Sequence, residues 1–193
     1  MNKRKQIAIF ISGAGSNARN IIQHFKGNDV GRVAILLSNK PENGAEQIAQ
    51  ENNIQLISFT KTELNESDVI IDTLKEYHVD LIVLAGFLLK IPETLVKAFP
   101  NQIINVHPAL LPKFGGKGMY GKHVHEAVFE AKETETGITI HYVNEHYDEG
   151  NVIAQFKCSI DDNVTPETIE QNVRELEQNY FAQTIEKLIK NEL

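Results

Sequence analysis

The first hundred residues alternate short apolar runs with segments whose apolar residues recur every three or four positions, and few folds accept that order. The runs lie at residues 7–11, 33–37, 54–59, 81–85 and 103–107. A strand with one wet face alternates apolar and polar residues, whereas a strand covered on both faces reads as a nearly unbroken apolar run. Between the runs, Ala18, Ile21, Ile22 and Phe25, then Ala45, Ile48 and Ala49, then Ile70, Leu74 and Tyr77, follow helical spacing. Pro92 opens a short helix over 92–99, a position where its missing N–H costs nothing. Strand–helix alternation of this kind predicts a parallel sheet covered by helices on both faces.

The second half reads differently. Residues 108–121 form a loop rich in Pro and Gly, and Val124, Ala127, Val128 and Ala131 mark a helix after it. The runs 138–143 and 152–158 alternate more cleanly, as strands with one exposed face do. Thr165-Pro166 is a helix-start signal, and Ile169, Val173, Leu176, Tyr180, Ile185 and Leu188 carry one apolar stripe to the end of the chain. The expected class is therefore α/β, a Rossmann-like, mostly parallel twisted sheet with helices on both faces, a partly antiparallel second half and a long C-terminal helix. No linker, repeat or shift of composition divides the 193 residues, so one domain over 1–193 is expected.

Composition narrows the partners. A single Cys excludes a disulfide framework or a cysteine-based zinc site and fits a reducing compartment. The net charge of −7, from 26 acids against 19 bases, argues against a nucleic-acid surface but leaves room for a small anion in a local pocket. The basic start, Met1-Asn2-Lys3-Arg4-Lys5-Gln6, precedes an apolar run too short for a signal peptide. No apolar stretch approaches the ~18 residues of a membrane span. A cytoplasmic protein with small-molecule partners is the expectation.

Two segments carry chemistry. Gly13-Ala14-Gly15-Ser16-Asn17 joins the first strand to the first helix. Glycines there let a ligand approach the backbone, and the helix's first N–H groups and dipole favour an anion, with Ser16 and Asn17 as added side-chain donors. The stretch also fits the dinucleotide variant G-x-G-x-x-A, yet the second strand ends Leu37-Ser38-Asn39-Lys40 without the acid that a ribose requires. In the second segment, Ile103-Ile104-Asn105-Val106-His107-Pro108, residues two apart share a face, so Asn105 and His107 point together before Pro108 ends the strand. They sit where open α/β sheets bind ligands, or else they anchor the following loop. Asp148, in Tyr147-Asp148-Glu149-Gly150, reads locally as a turn aspartate. His123 and His125, two apart on a helix, do not share a face and read as solvated or helix-terminal rather than as a metal pair. His141 reads as a packed structural histidine that could neighbour the site, and Cys158 as core rather than nucleophile.

Taken in order, Ile11-Ser12-Gly13-Ala14-Gly15-Ser16-Asn17, Ser38-Asn39, Leu84-Ala85-Gly86-Phe87, Asn105-Val106-His107-Pro108-Ala109-Leu110-Leu111-Pro112, residues 137–143 and Asp148-Glu149-Gly150 resemble the phosphoribosylglycinamide formyltransferases, within the folate-dependent formyltransferase superfamily. The resemblance spans nearly the whole chain. It implies that a glycinamide amine attacks the formyl carbon of 10-formyltetrahydrofolate as co-substrate, in purine synthesis, with no metal. Asn105 and a protonated His107 would donate to the oxyanion, and Asp148 would favour the imidazolium and relay protons. Gly13, Gly15, Ser16 and Asn17 would hold the substrate phosphate, Glu177 its ribose hydroxyls, with Gly86 and Pro108 also on the substrate side. Leu84, Phe87, Leu88, Leu89, Lys90 and Ile91 would line the folate slot together with Asn105 and Asp148. By the same resemblance, residues 1–100 form the phosphate-binding half and 101–193 the catalytic and folate-binding half.

This chain departs from the family in two places. Where members often read Phe-Met-Arg, it has Phe87-Leu88-Leu89-Lys90, the base displaced by one. Its 113–121 loop is longer and glycine-rich, either a closing element over substrate or a solvated loop. A 10-formyltetrahydrofolate hydrolase would use the same three residues with water as acceptor. A small NADP-binding reductase, with Lys40 at the 2′-phosphate, would leave Asn105, His107 and Asp148 without a role. A non-catalytic binding module would have no need of Asp148.

Overall fold

In the computed structural model, which describes residues 4–66, 68–161 and 164–193, the element order follows the apolar runs. Residues 1–3 of the basic N-terminal segment lie outside the described residues. The strands are β1 (Lys5–Ile11), β2 (Gly31–Ser38), β3 (Gln55–Ser58), β4 (Leu81–Leu84), β5 (Ile103–His107), β6 (Glu135–Tyr142) and β7 (Val152–Ser159). The helices are α1 (Ser16–Phe25), α2 (Ala45–Asn52), α3 (Lys61–Glu66), α4 (Val69–Glu76), α5 (Glu93–Ala98), α6 (Lys122–Glu130) and α7 (Pro166–Lys190). They build a seven-stranded sheet in the order β3-β2-β1-β4-β5-β6-β7. Pairing is parallel from β3 through β5 and antiparallel from β5 to β7, as the change of pattern in the second half predicts.

Period-two alternation assigns the two faces. On β1, Ile7, Ile9 and Ile11 enter a core with Ile21, Ile22 and Phe25 of α1 and with Val173, Phe181 and Ile185 of α7. Ala8 and Phe10 point the other way, into a core with Ile70, Ile71 and Leu74 of α4 and Leu95 of α5. Thr165 caps α7 by accepting from the Thr168 N–H, with Pro166 in the first turn.

The periodicity does not predict α3. Its start is nevertheless encoded as a capping box: Thr60 Oγ1 accepts from the Glu63 N–H, and Glu63 Oε2 accepts from the Thr60 N–H. Leu64 is its one buried residue, so no apolar stripe marks so short a helix.

Strand order reverses between β1, which leads outward to β2, and β4, which leads to β5. A crevice opens at the carboxyl ends of such a pair, and open α/β sheets use it for ligands. Among the described residues no helix is long and apolar enough to cross a membrane.

Candidate active site

A cavity of about 730 Å³ occupies that crevice. One wall is the turn after β1, where Gly13, Gly15, Ser16 and Asn17 line the space. Gly15 is the N-cap of α1 at φ 76, and a Cβ on it would stand 2.4 Å from the Ile48 methyl, so glycine suits both backbone and space. The first α1 bond runs from the Arg19 N–H to the Gly15 carbonyl, and the first turn of α1 carries no acid. The N–H groups of Ser16, Asn17 and Ala18 therefore precede the helix ladder, which is the arrangement that receives an anion.

The Asn17 side chain is not the free donor that its position suggests. Its Nδ2–H donates to Glu177 Oε2 at 2.8 Å, and its Oδ1 accepts from Gln178 Nε2 at 2.8 Å. The carboxamide thus ties α1 to α7, and one Nδ2–H and the backbone N–H are what Asn17 has left to offer at the turn. On α7, Glu170, Val173, Arg174 and Glu177 recur at helical spacing along the cavity wall. Burial pushes the Glu177 carboxyl up, against the lowering effects of Asn17 and Arg174.

The segment after β4 forms a further part of the lining: Leu84, Gly86, Phe87, Leu88, Leu89, Lys90 and Ile91. Phe87 and Ile91 are buried in the second core, whereas Leu88 remains 48% exposed, an apolar surface facing open space. The Lys90 ammonium lies 5.6 Å from the centre of the Tyr147 ring, a cation–π contact at the cavity edge.

Asn105, His107 and Pro108 line the floor at the end of β5, and Asp148 stands over them from the loop after β6. Gly150 explains that loop's path, because a Cβ there would lie 1.7 Å from the Tyr142 carbonyl oxygen. His107 Nε2–H donates to the Phe114 carbonyl at 2.7 Å, while its Nδ1 lies 3.5 Å from Asp148 Oδ2. That carboxylate oxygen also accepts from the Gly116 N–H at 2.9 Å. The glycine-rich loop is thereby fastened to this cluster at Phe114 and Gly116, and residues 116–121 line the cavity.

Burial pushes His107 below the ordinary imidazole value, with Asp148 and the Phe114 bond pulling against it. The sequence leaves the protonation of His107 open; here desolvation outweighs the carboxylate and favours the neutral ring. Since a carbonyl can only accept, the proton of the neutral ring sits on Nε2, and the bare Nδ1 faces Asp148. A proton arriving at Nδ1 would find a carboxylate in place to receive its hydrogen bond.

Two further histidines belong to this site. His141, 2% exposed, stands directly across the β5–β6 ladder from Asn105. Its Nδ1 contacts the Tyr142 carbonyl at 2.9 Å, so Nδ1 carries the hydrogen and Nε2 accepts from Asn105 Nδ2 at 3.2 Å. This fixes which end of the Asn105 amide is nitrogen and leaves its second N–H for a ligand. For His125 the solvated alternative is corrected. It is buried and lines the cavity, not solvated, because α6 turns Val124, His125 and Val128 inward, while His123 stays outside beside Glu126. Its Nδ1 has no hydrogen-bond partner among the described residues. Cys158 is half-buried and burial pushes its thiol up, which keeps it protonated. Among the described residues no group of three or more His, Cys, Asp or Glu is arranged to hold a metal ion.

His107, His125 and His141 all lie below their ordinary value of 6.5, first because of burial. A group whose folded pKa is depressed stabilises the fold above its unfolded value, and that stabilisation is lost as pH falls through the folded value. Thermal stability should therefore drop on acidification below about pH 6.5, by at most about 1.4 kcal/mol per pH unit for each histidine. Glu177, raised from 4.5, acts in the opposite sense and offsets at most one of the three. Melting curves at stepwise lower pH check this, and a flat profile from pH 7 to about pH 5 would contradict the neutral, buried state of these rings.

The chain matches the Formyl transferase family over residues 5–185. It is 42% identical over 189 residues to "Phosphoribosylglycinamide formyltransferase, chloroplastic" of Arabidopsis thaliana, covering 95% of this chain and 65% of that one. It is 37% identical over 190 residues to the phosphoribosylglycinamide formyltransferase of Bacillus subtilis, covering 96% and 95%. The crystal structure of phosphoribosylglycinamide formyltransferase from Bacillus halodurans matches with a TM-score of 0.87 at 33% identity, over 98% of this chain and 97% of that one. The chain thus spans 61–65% of the length of the first plant relatives and nearly all of the Bacillus ones.

Proposed function

Because the chain belongs to the formyl transferase family, we propose that it moves the formyl group of 10-formyltetrahydrofolate onto the amine of glycinamide ribonucleotide, a step of purine synthesis. The observation that carries this reading is that Asn105, His107 and Asp148 line one cavity together with an anion-receiving helix start and with the largely apolar segment at residues 84–91. Two substrates held by that helix start and that segment would meet at these three side chains.

In this reading the phosphate rests on the N–H groups of the Gly15–Asn17 turn, and Glu177 accepts the ribose hydroxyls. The pterin enters along residues 84–91, where Leu88 and Leu89 supply apolar contact and Lys90 a cation near the carboxylates of the folate. The amine attacks the formyl carbon, and negative charge develops on the formyl oxygen. The free N–H of Asn105, oriented by His141, donates to that oxygen. The attacking nitrogen becomes acidic as its bond to carbon forms, and its proton passes to Nδ1 of His107, next to Asp148 and directly or through it. The imidazolium therefore appears as the oxyanion does, and its Nδ1–H can serve that oxygen and Asp148 together. When the intermediate collapses, the carbon–nitrogen bond to the folate breaks, and the proton returns to the departing nitrogen.

The whole of residues 1–193 would act as one domain, with residues 1–100 supplying the phosphate turn and 101–193 the reacting side chains. The half-buried Cys158 is at ease in a reducing compartment such as the cytoplasm. The test is the initial rate of 10-formyltetrahydrofolate consumption with and without glycinamide ribonucleotide. Consumption should require the amine. Equal rates without it would mean that water is the acceptor and would overturn the transfer reading.

A further inference from the structure

Ser12, the residue between β1 and the glycine turn, is 1% exposed and touches three segments. Its Oγ–H donates to Asn39 Oδ1 at 2.7 Å, and its Oγ accepts from the Leu88 N–H at 3.0 Å. Its own N–H donates to the Gly86 carbonyl at 3.2 Å, and its carbonyl accepts from Asn43 Nδ2 at 3.2 Å. Asn39 is half-buried in the loop after β2 and does not line the cavity.

A hydroxyl has one hydrogen and two lone pairs. With the hydrogen committed to Asn39, a lone pair is left facing the Leu88 N–H. Were the hydrogen free to rotate toward residue 88, two hydrogens would oppose each other, and the backbone there would lose its fixed path. We infer that Asn39 and Ser12 form a two-bond relay that sets the backbone of residues 86–88, and with it the shape of the folate slot. Asn39 is thus a positioning residue for a substrate it does not touch. The relay also takes the Leu88 N–H out of use, so recognition of the pterin edge falls to the remaining backbone groups of the segment. This rests on the reading of residues 84–91 as the donor slot.

Three full-length variants test it: Asn39→Ala, which removes the acceptor; Asn39→Asp, which keeps one; and Ser12→Ala, which removes the relay atom. Two readouts are used, steady-state kinetics with both substrates and amide hydrogen exchange at Leu88. For Asn39→Ala, KM for the folate donor should rise about tenfold, the loss of one hydrogen bond's worth of positioning. Its kcat and its KM for the amine substrate should stay within about twofold, and Leu88 exchange should quicken by about tenfold. Asn39→Asp should restore both the donor KM and Leu88 protection, whereas Ser12→Ala should lose both. Unchanged Leu88 exchange in Asn39→Ala, or a parallel fall of kcat and both affinities, would overturn the relay. If the unaltered protein turned over neither substrate, the assigned reaction would fail instead, and Leu88 exchange would still decide whether the relay exists.

Discussion

Replacing Asn105 with alanine should lower kcat by about a hundredfold to a thousandfold, the loss seen when one oxyanion donor is removed, with KM for either substrate within about threefold. The split follows from geometry. One Nδ2–H of Asn105 is held by His141, and in the proposed reaction the other would bond the formyl oxygen most strongly as that oxygen gains negative charge. An interaction made in the transition state and not before it appears in kcat rather than in KM. Asn105 is also half-buried at the end of β5, so truncation leaves no large core void, and a melting curve should separate lost chemistry from lost folding. A variant that lost substrate affinity in proportion to turnover would instead make Asn105 a ground-state contact.

Asp148→Asn should cost about a hundredfold to ten-thousandfold in kcat, the range of general acid–base contributions. The amide retains an oxygen for the Gly116 N–H, so the loop stays fastened. It can no longer hold a proton or balance an imidazolium. It also has a directional signature. Asp148 raises His107 against the burial that lowers it, so removing the charge lets the imidazole fall further. In the proposed reaction neutral His107 receives the proton, so activity should fail on the acid side as the ring becomes protonated. The acid limb of the pH–rate profile should therefore move to lower pH in the variant. An unmoved limb, with turnover lost, would mean that Asp148 acts on the loop rather than on His107.

The centre of the sheet was largely legible because β1 and β4 are buried on both faces. Unbroken runs such as residues 7–11 and 81–85 have few other uses in a chain with helical spacing between them. The helix at residues 61–66 was not, since it buries one leucine and its capping box lies outside any periodic stripe. Site residues followed the same division. Asn105 and His107 are two apart on one strand, so their common face is a local fact. His141 reaches Asn105 through an antiparallel register set by the whole β5–β6 ladder, and a slip of one residue would turn it away. Asp148 reaches His107 through a loop whose path depends on a missing Cβ at Gly150. Spacing separates His125 from the outward-facing His123, but burial of the inner face of α6 is decided by α7, far away in sequence.

The charge state of His107 shows the limit of pairwise reasoning. An adjacent carboxylate predicts an imidazolium, yet the ring is 3% exposed and desolvation is the larger effect. In the proposed reaction the proton then arrives at His107 with the oxyanion rather than before it.

The central claim is direct transfer from folate to amine at Asn105, His107 and Asp148. It is tested most directly by supplying 10-formyltetrahydrofolate labelled at the formyl carbon together with glycinamide ribonucleotide, and following the label. Label should enter the amide of the product in step with donor consumed, and the Asn105→Ala and Asp148→Asn variants should slow this transfer without diverting it. Label released as formate, at a rate indifferent to the amine, would contradict it.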